Sequence, residues 1–595
     1  MKRDLHPKAG AGAHPDMPAS RPSASGPSGV AGSAGFSWPL LAAIVALGAA
    51  LRLVLLGHEG LWVDEAFTAG IVRQPIGRMI ATLVRTDDAP PLFYLLEKLA
   101  GTLFGRSETA LRLLPALAGV GAVALLLCEA RRRADRGTLL AAAFFAAAAY
   151  PVFYARQARS YGLLLLLSLA FVLGSRELLA RQPREGPLRR GPWTATQVCA
   201  AGVLLCLTHH LGGLLVATGL ALALLGRVPA LRLSRGVPIL PFLLPLLLWS
   251  AWLTLSRAQL GTHEELNTWM GEFWRTRPLA LAPLYSLAAF APGGRCLTAP
   301  PVASPALPAS LSAWTCASAA LACACLVLAI VRGARAQAGE RLVEIAFLAA
   351  PLAALAAASL VWAPAYVLSR SDAIAFPAFA LLIGRGLGRL PRTAAWGALL
   401  FWLAISVTAL APSYGLGREA GAKGTDRWLA GVMERRGLRA TDWVIHTYLT
   451  APSLEYYLER LGAPHARDWF PADAGHAPAG SRETPLDSLR TYERQALALR
   501  ERMTASLPED GAVWLLALLD EGAAPLRGAS DAQQVSATQL AYPGNLLLYY
   551  LTGRAPQELV ARYRQDWISG DRVLVRVPRG SWVELETLAP VEAAE

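Results

Sequence analysis

A chain of 595 residues that is 54% hydrophobic and only 17% charged, with a mean hydropathy of +0.37, is too apolar to be a soluble protein of that length. Its apolar residues fall in long Leu/Ala runs of membrane-spanning size, which makes it a polytopic helical membrane protein. The net charge of +13 does not point to a nucleic-acid partner. Most arginines flank apolar runs, where they set orientation and meet anionic lipid.

Residues 1–36 are rich in Pro, Gly, Ala and Ser and read as a disordered cytoplasmic tail. The tail is long for a signal peptide and no cleavage pattern follows the first apolar run, so 38–57 is expected to stay as an anchor. Arg131-Arg132-Arg133 with Arg136 form one basic cluster, and the stretch 176–190, with Arg181, Arg184 and Arg189, forms another. Both are expected on the cytoplasmic side. The roughly 40 residues between them hold two spans and a tight turn on the far side. That turn is Tyr154-Ala155-Arg156-Gln157-Ala158-Arg159-Ser160-Tyr161, which shares a side with Asp64.

The same alternation continues through basic loops at 227–235, 332–341 and 385–392. It gives about eleven spans, near 38–57, 109–128, 138–155, 162–179, 194–209, 211–226, 237–255, 310–331, 342–363, 373–389 and 393–411. With the N-terminus inside, an odd number sends residues 412–595 to the outer side. Residues 90–104 are short and carry Glu97 and Lys98, with Pro90-Pro91 suited to a first helical turn. They are expected to lie in the interface as an amphipathic helix, since counting them as a span would put every later arginine cluster outside.

After residue 412 the chain alternates. Helical patterns at 426–436, 453–461 and 484–506 are interleaved with strand-like runs at 442–447, 513–519 and 571–577, giving a small α/β domain. It contains no repeat, Gly-rich phosphate loop or nucleophile elbow. Of the seven cysteines, Cys128, Cys199, Cys206, Cys316, Cys323 and Cys325 lie in apolar runs and Cys296 in a loop. None has zinc-ligand spacing, and the C-terminal domain has no disulfide framework.

The chemistry candidates share the outer side. Leu61-Trp62-Val63-Asp64-Glu65-Ala66-Phe67 puts two adjacent carboxylates where the chain first leaves the bilayer. A carboxylate flanked by apolar side chains at an interface suits a general base, and an exposed loop acid is the plainer alternative. Asp87 and Asp88 return to the same side. Asp88 suits a helix cap, while the other acid could orient an acceptor or assist a metal. Arg156 and Arg159 at headgroup level suit either phosphate binding or simple lipid contact. Arg370, between Tyr366 and Asp372, is a further phosphate candidate. Tyr161 and His209 join Asp87 and Asp88 as acceptor-binding or supporting candidates. Whether the acids near His209 hold a divalent ion is open.

Taken in order, Leu61-Trp-Val-Asp64-Glu65, Asp87-Asp-Ala-Pro90-Pro91-Leu-Phe-Tyr94, Arg112-Leu-Leu-Pro115, the 154–161 turn, Thr208-His209-His210 and Ser369-Arg370 resemble the bacterial protein-mannosyltransferase-like membrane glycosyltransferases. A weaker echo runs through Asp426-Arg-Trp428 and Tyr456-Tyr457. The resemblance implies a GT-C fold in a bacterial inner membrane and a periplasmic C-terminal domain. It implies transfer of a sugar from a polyprenyl-phosphate donor to a protein, lipid or polysaccharide hydroxyl. It also implies Asp64 as catalytic base with Glu65 in support, and Arg159 and Arg370 on the donor phosphate. Ala89, Gln157 and Ser371 depart from the family pattern. The competing class is a transporter or flippase of lipid-linked precursors, which would carry ionisable groups within its spans and repeated halves.

Overall fold

The computed structural model describes residues 36–86, 90–180, 192–226, 233, 237–256, 274, 277–293, 309–332, 337–361, 365–414, 425–446, 451–462, 466–469, 485–518, 543–553, 564–569 and 572–583. The first helix, α1 (Trp38–Leu53), has Pro39 in its first turn and ends just before Leu55 turns left-handed. Three helices precede the next long one: α2 (Val63–Arg73), α3 (Ile76–Thr86) and α4 (Leu92–Phe104). Then come α5 (Glu108–Arg133), α6 (Arg136–Ala147), α7 (Ala149–Ala155) and α8 (Tyr161–Leu179). They are followed by α9 (Pro192–Thr208), α10 (Leu211–Leu225), α11 (Leu240–Leu255) and α12 (Ala282–Phe290). The bundle closes with α13 (Ala309–Val331), α14 (Ala338–Val361), α15 (Phe376–Leu387) and α16 (Arg392–Leu410).

Every expected span falls on a helix, but they are not alike. Among the described residues, five helices, α5, α8, α13, α14 and α16, are long and apolar enough to cross a membrane alone, and α6 with α7 makes a sixth as one pair bent by 57°. The bend has a local cause. Pro151 has no N–H to offer the Ala147 carbonyl, and Ala148 is extended. The carbonyls this frees inside the bundle are taken up by Arg52, whose Nη2 and Nη1 donate to Phe145 O and Ala146 O at 3.0 and 3.1 Å. Ala149 N donates to Ser406 Oγ at 3.1 Å. A backbone break is tolerated at such depth only when its polar groups are satisfied in this way.

The expected span at 373–389 is not a uniform one. A 3-10 turn, Ser371–Ala375, leads into the 12-residue α15, and every residue of that helix is buried. It is an inner strut, packed through Phe376 and Phe379 on Phe144, Tyr150 and Phe290. The 13-residue α4 would be about 20 Å long, short of a ~30 Å hydrocarbon core. It leaves Leu95, Leu99, Leu103 and Phe104 exposed on one side and turns Phe93, Tyr94 and Glu97 inward. Lys98 donates to Val72 O and Gln74 O at 3.0 and 2.7 Å and so closes the C-terminus of α2.

The bundle has two chemically different ends. At one, Glu129, Glu340 and Glu344 interlock with Arg133, Arg176 and Arg385, at distances from 2.5 to 2.9 Å. These arginines end α5, α8 and α15, where a cation also faces the negative pole of its own helix. The opposite end carries the starts of α2, α5 and α8 and the turn before α15.

Beyond the bundle lie α17 (Thr425–Arg435), β1 (Trp443–His446), α18 (Ala451–Arg460), β2 (Ala466–Trp469), α19 (Pro485–Ser506), β3 (Ala512–Leu518), α20 (Pro543–Thr552), β4 (Arg564–Ser569) and β5 (Arg572–Pro578). The sheet order is β2-β1-β3-β5-β4. The β1 pairs are parallel and the β5 pairs antiparallel. Asp442 fixes β1 to β3 by accepting from Ala512 N and Trp514 Nε1 at 2.9 and 2.8 Å. The patterns in the sequence match six of these elements within a few residues, while β2, β4 and α20 are marked by none of them. Val513, Leu515, Val575 and Val577 pack on α19 and α20. Trp514 and Leu574 join Leu429, Leu454 and Leu458 in a cluster that continues into Leu61, Ala66, Ala69 and Val72. The C-terminal body therefore shares a hydrophobic core with α2.

Candidate active site

The acidic pair does not sit in an open loop. Trp62 is the residue before α2, so Asp64 and Glu65 are the second and third residues of its first turn. On a helix, neighbours point about 100° apart, and the two carboxylates part company. Glu65 turns into the protein and is fully buried. Arg112 on α5 meets it with Nε and Nη2, each 2.7 Å from a different oxygen. Ala158 N donates to it at 2.9 Å and Trp62 N at 3.3 Å. The same guanidinium donates to Leu56 O, Glu59 O and Gly60 O at 3.0, 2.8 and 2.9 Å. Glu65 and Arg112 thus staple the loop after α1 to α5 and to the 156–160 turn.

Asp64 faces the opening, with its side chain 24% exposed. Its Oδ2 is 3.2 Å from Nη2 of Arg370, which is 37% exposed. Arg370 also stacks over the Trp62 ring at 5.4 Å. Arg159 lies beneath, its Nη1 3.5 Å from Asp64 O and Thr68 Oγ1 and 3.4 Å from the Tyr94 hydroxyl. Residues from α2, α4, the α7–α8 turn and the turn before α15 so gather around Asp64, with Arg370 on its carboxylate and Arg159 on its main-chain carbonyl. The position of Arg370 follows from its neighbours. Ser369 is left-handed, with φ of 61°, and its N–H donates to buried Asp372 at 3.1 Å. Asp372 also accepts from Tyr150 and Ser286 at 2.8 and 2.6 Å.

Arg156 does not join this group. Its Nη1 donates to Val54 O at 2.8 Å, its Nη2 to Leu55 O and Ser413 O at 3.1 and 3.2 Å, and it stacks on Tyr414 at 4.3 Å. It closes the C-terminus of α1, with both Nη atoms engaged by main-chain carbonyls. Tyr161 packs against Tyr154 and His209, with ring centroids 4.8 and 5.7 Å away. The His209 Nδ1 accepts from Leu211 N at 3.2 Å, at the junction of α9 and α10. Asp87 and Asp88 lie outside the described residues. Among the described residues, no three His, Cys, Asp or Glu side chains are grouped to hold a metal ion.

Arg112 and Asp372 are the site residues that the sequence reading passed over. Arg112 had a usable signal: an arginine set inside Leu111-Arg112-Leu113-Leu114, next to a bilayer, demands a buried partner. Asp372 had none, because two of its three donors, Tyr150 and Ser286, come from distant helices.

No protein-family model matches the sequence, and no curated protein matches it. In shape the chain is similar to the solved structure of ArnT from Cupriavidus metallidurans bound to undecaprenyl phosphate. That likeness has 16% identity and a TM-score of 0.49, and covers 91% of this chain and 98% of that one. It is also similar to the oligosaccharyltransferase AglB from Archaeoglobus fulgidus, in complex with an inhibitory peptide and a dolichol-phosphate, at 12% identity and a TM-score of 0.42, covering 87% of this chain and 73% of that one. A third similar structure is the arabinofuranosyltransferase AftD from Mycobacteria, at 16% identity and a TM-score of 0.40, covering 84% of this chain and 39% of that one. These are likenesses of general outline, and they assign no residue a role.

Proposed function

We propose that this protein is a GT-C-type membrane glycosyltransferase. It transfers a sugar, with inversion, from a polyprenyl-phosphate donor to a hydroxyl on the outer side of a bacterial inner membrane. The observation that carries the reading is the 3.2 Å pairing of Asp64 with Arg370, with the Arg159 guanidinium at the base of the same turn. A carboxylate to accept a proton and two guanidiniums to hold a phosphate are what such a transfer requires. Of the ordered motifs, those carrying Asp64, Tyr94, Arg159 and Arg370 meet there, which supports the reading. Among the described residues, the clusters of ion pairs lie at the two ends of the bundle, which fits an enzyme at a membrane surface better than a transport path through the spans.

In the reaction the acceptor oxygen attacks the anomeric carbon, and the bond from that carbon to the phosphate oxygen breaks. Asp64 takes the hydroxyl proton. The departing polyprenyl phosphate needs no proton at neutral pH, and Arg370 and Arg159 stabilise its charge by charge-assisted hydrogen bonds. A forked guanidinium can serve a carboxylate and a phosphate in turn. Donor phosphate arriving on Arg370 would thus loosen its hold on Asp64 and free the base. Glu65 acts from behind, as the anchor of the first turn.

The test is Asp64→Asn in the full-length protein in nanodiscs, with a panel of polyprenyl-phosphate hexoses and pentoses and a cell-envelope extract as acceptor. Transfer should fall by about 100-fold or more, while binding of a polyprenyl phosphate stays within a few-fold. Undiminished transfer by the variant would remove Asp64 from the role of base.

A further inference from the structure

We propose that the C-terminal body positions the catalytic turn through Tyr457. Its hydroxyl accepts the Leu61 N–H at 2.7 Å and so sets where α2 begins. Three consecutive backbone groups ahead of Asp64 are each held by a different element. Gly60 O is held by Arg112 from the bundle, Leu61 N by Tyr457 from α18, and Trp62 N by Glu65 from α2 itself. Leu61 is 1% exposed, so water cannot replace a lost partner and the amide would be left as a buried, unpaired donor.

Tyr457 is itself fixed in place. Its neighbour Tyr456 donates to Arg106 O at 2.7 Å, and Arg460 pairs with Glu108 at 2.6 Å. Arg427 donates to His58 O at 3.2 Å, and Arg73 pairs with Glu459. Leu454 and Leu458 share the core with Leu61, Ala69 and Val72. These contacts hold α17 and α18 against α2 and the loop before it. Asp64 lies one turn beyond Leu61, so a shift in the start of α2 moves its carboxylate relative to Arg370. Displacement of a reacting group by about 1 Å costs on the order of 100-fold in rate.

The contact stands on geometry alone, whereas its consequence for catalysis rests on the glycosyltransferase reading. The experiment separates the two. In the full-length protein in nanodiscs, Tyr457→Phe keeps the ring and removes only the acceptor. Hydrogen exchange of the amides in 57–63 should quicken by about 10-fold or more, as expected for loss of a buried hydrogen bond. Turnover of the lipid-linked sugar that the wild type consumes should fall about 10- to 100-fold, with KM for that donor changed by less than about twofold. Unchanged exchange in the variant overturns the proposal, as does rapid exchange of these amides in the wild type. Faster exchange with unchanged turnover, or a raised KM at unchanged kcat, overturns the positioning role. If the wild type consumes none of the panel, the glycosyltransferase reading fails while the exchange result still decides the contact.

Discussion

Arg112 meets Glu65 through two parallel N–H···O bonds of 2.7 Å, in a place where neither side chain is more than 2% exposed. Each group is desolvated for the other, so removing one leaves a bare charge. Breaking such a pair typically costs ~3–5 kcal/mol. Glu65→Gln is therefore expected to lower the thermal midpoint of the nanodisc-embedded protein sharply and to abolish transfer. Arg112→Lys should do the same, since a point ammonium cannot reproduce the bidentate grip or reach all three loop carbonyls. The double variant Glu65→Leu/Arg112→Leu should recover part of the stability and none of the activity. A Glu65→Gln protein with wild-type midpoint would show that the pair does not hold the turn.

The three arginines first grouped as phosphate ligands should behave differently. Arg370→Gln and Arg159→Gln each remove a guanidinium from beside Asp64. Loss of one charged hydrogen bond, ~1.5–3 kcal/mol, should weaken polyprenyl-phosphate binding by about 10- to 100-fold. Arg156→Gln should leave that affinity unchanged and lower stability, because its donors serve Val54 O, Leu55 O and Ser413 O. Titration of each variant with a polyprenyl phosphate decides. Equal losses for all three would return Arg156 to the phosphate site.

The contrast between these arginines marks what a sequence can and cannot disclose. Apolar runs and basic clusters are one-dimensional signals, and they located the long apolar helices, the two ends of the bundle and the turn carrying Arg156 and Arg159, but not α2, α3 or α12. They also put α4 outside the set of spans. What they could not give is direction. Asp64 and Glu65 are adjacent in the chain, yet one faces an arginine in the opening and the other a buried arginine on α5. Arg156 and Arg159 share one turn, yet point to different partners. Such divisions depend on helical phase and on donors supplied by remote elements, as with Asp372 and its bonds from Tyr150 and Ser286. In the C-terminal body, Ala466–Trp469 is too short and too polar to show a strand period, and it pairs because β1 lies beside it.

The ionic network at the other end of the bundle makes a separate prediction. Glu344 is fully buried between Arg176, at 2.9 Å, and Arg385, at 2.5 Å, and so ties α14 to α8 and α15. Glu344→Gln leaves two buried guanidiniums short of charge, and it should destabilise the bundle by ~3–5 kcal/mol. It is far from Asp64, so the folded fraction should keep the wild-type KM for donor. A thermal midpoint measured beside KM tests this, and a changed KM with an unchanged midpoint would contradict it.

Glu97 gives the protein a pH-dependent stability. Its carboxyl is fully buried on the inner face of α4, and neither oxygen has a hydrogen-bond partner among the described residues. Burial pushes its pKa from an ordinary 4.5 up to about 8. At neutral pH the folded protein therefore holds a proton there that the unfolded chain has released. Between about pH 4.5 and pH 8 the folded state binds one more proton than the unfolded state, so stability falls as pH rises through that window. The slope is ~1.4 kcal/mol per pH unit for this one group, and it vanishes above the folded pKa, where both states are ionised. Glu97→Gln carries the same shape with no proton to lose. The difference in unfolding free energy between wild type and Glu97→Gln should drift in favour of the variant from pH 5 to pH 8 and then level off. A difference that stays flat across that range would mean that Glu97 is ionised in the folded protein and paired with a cation.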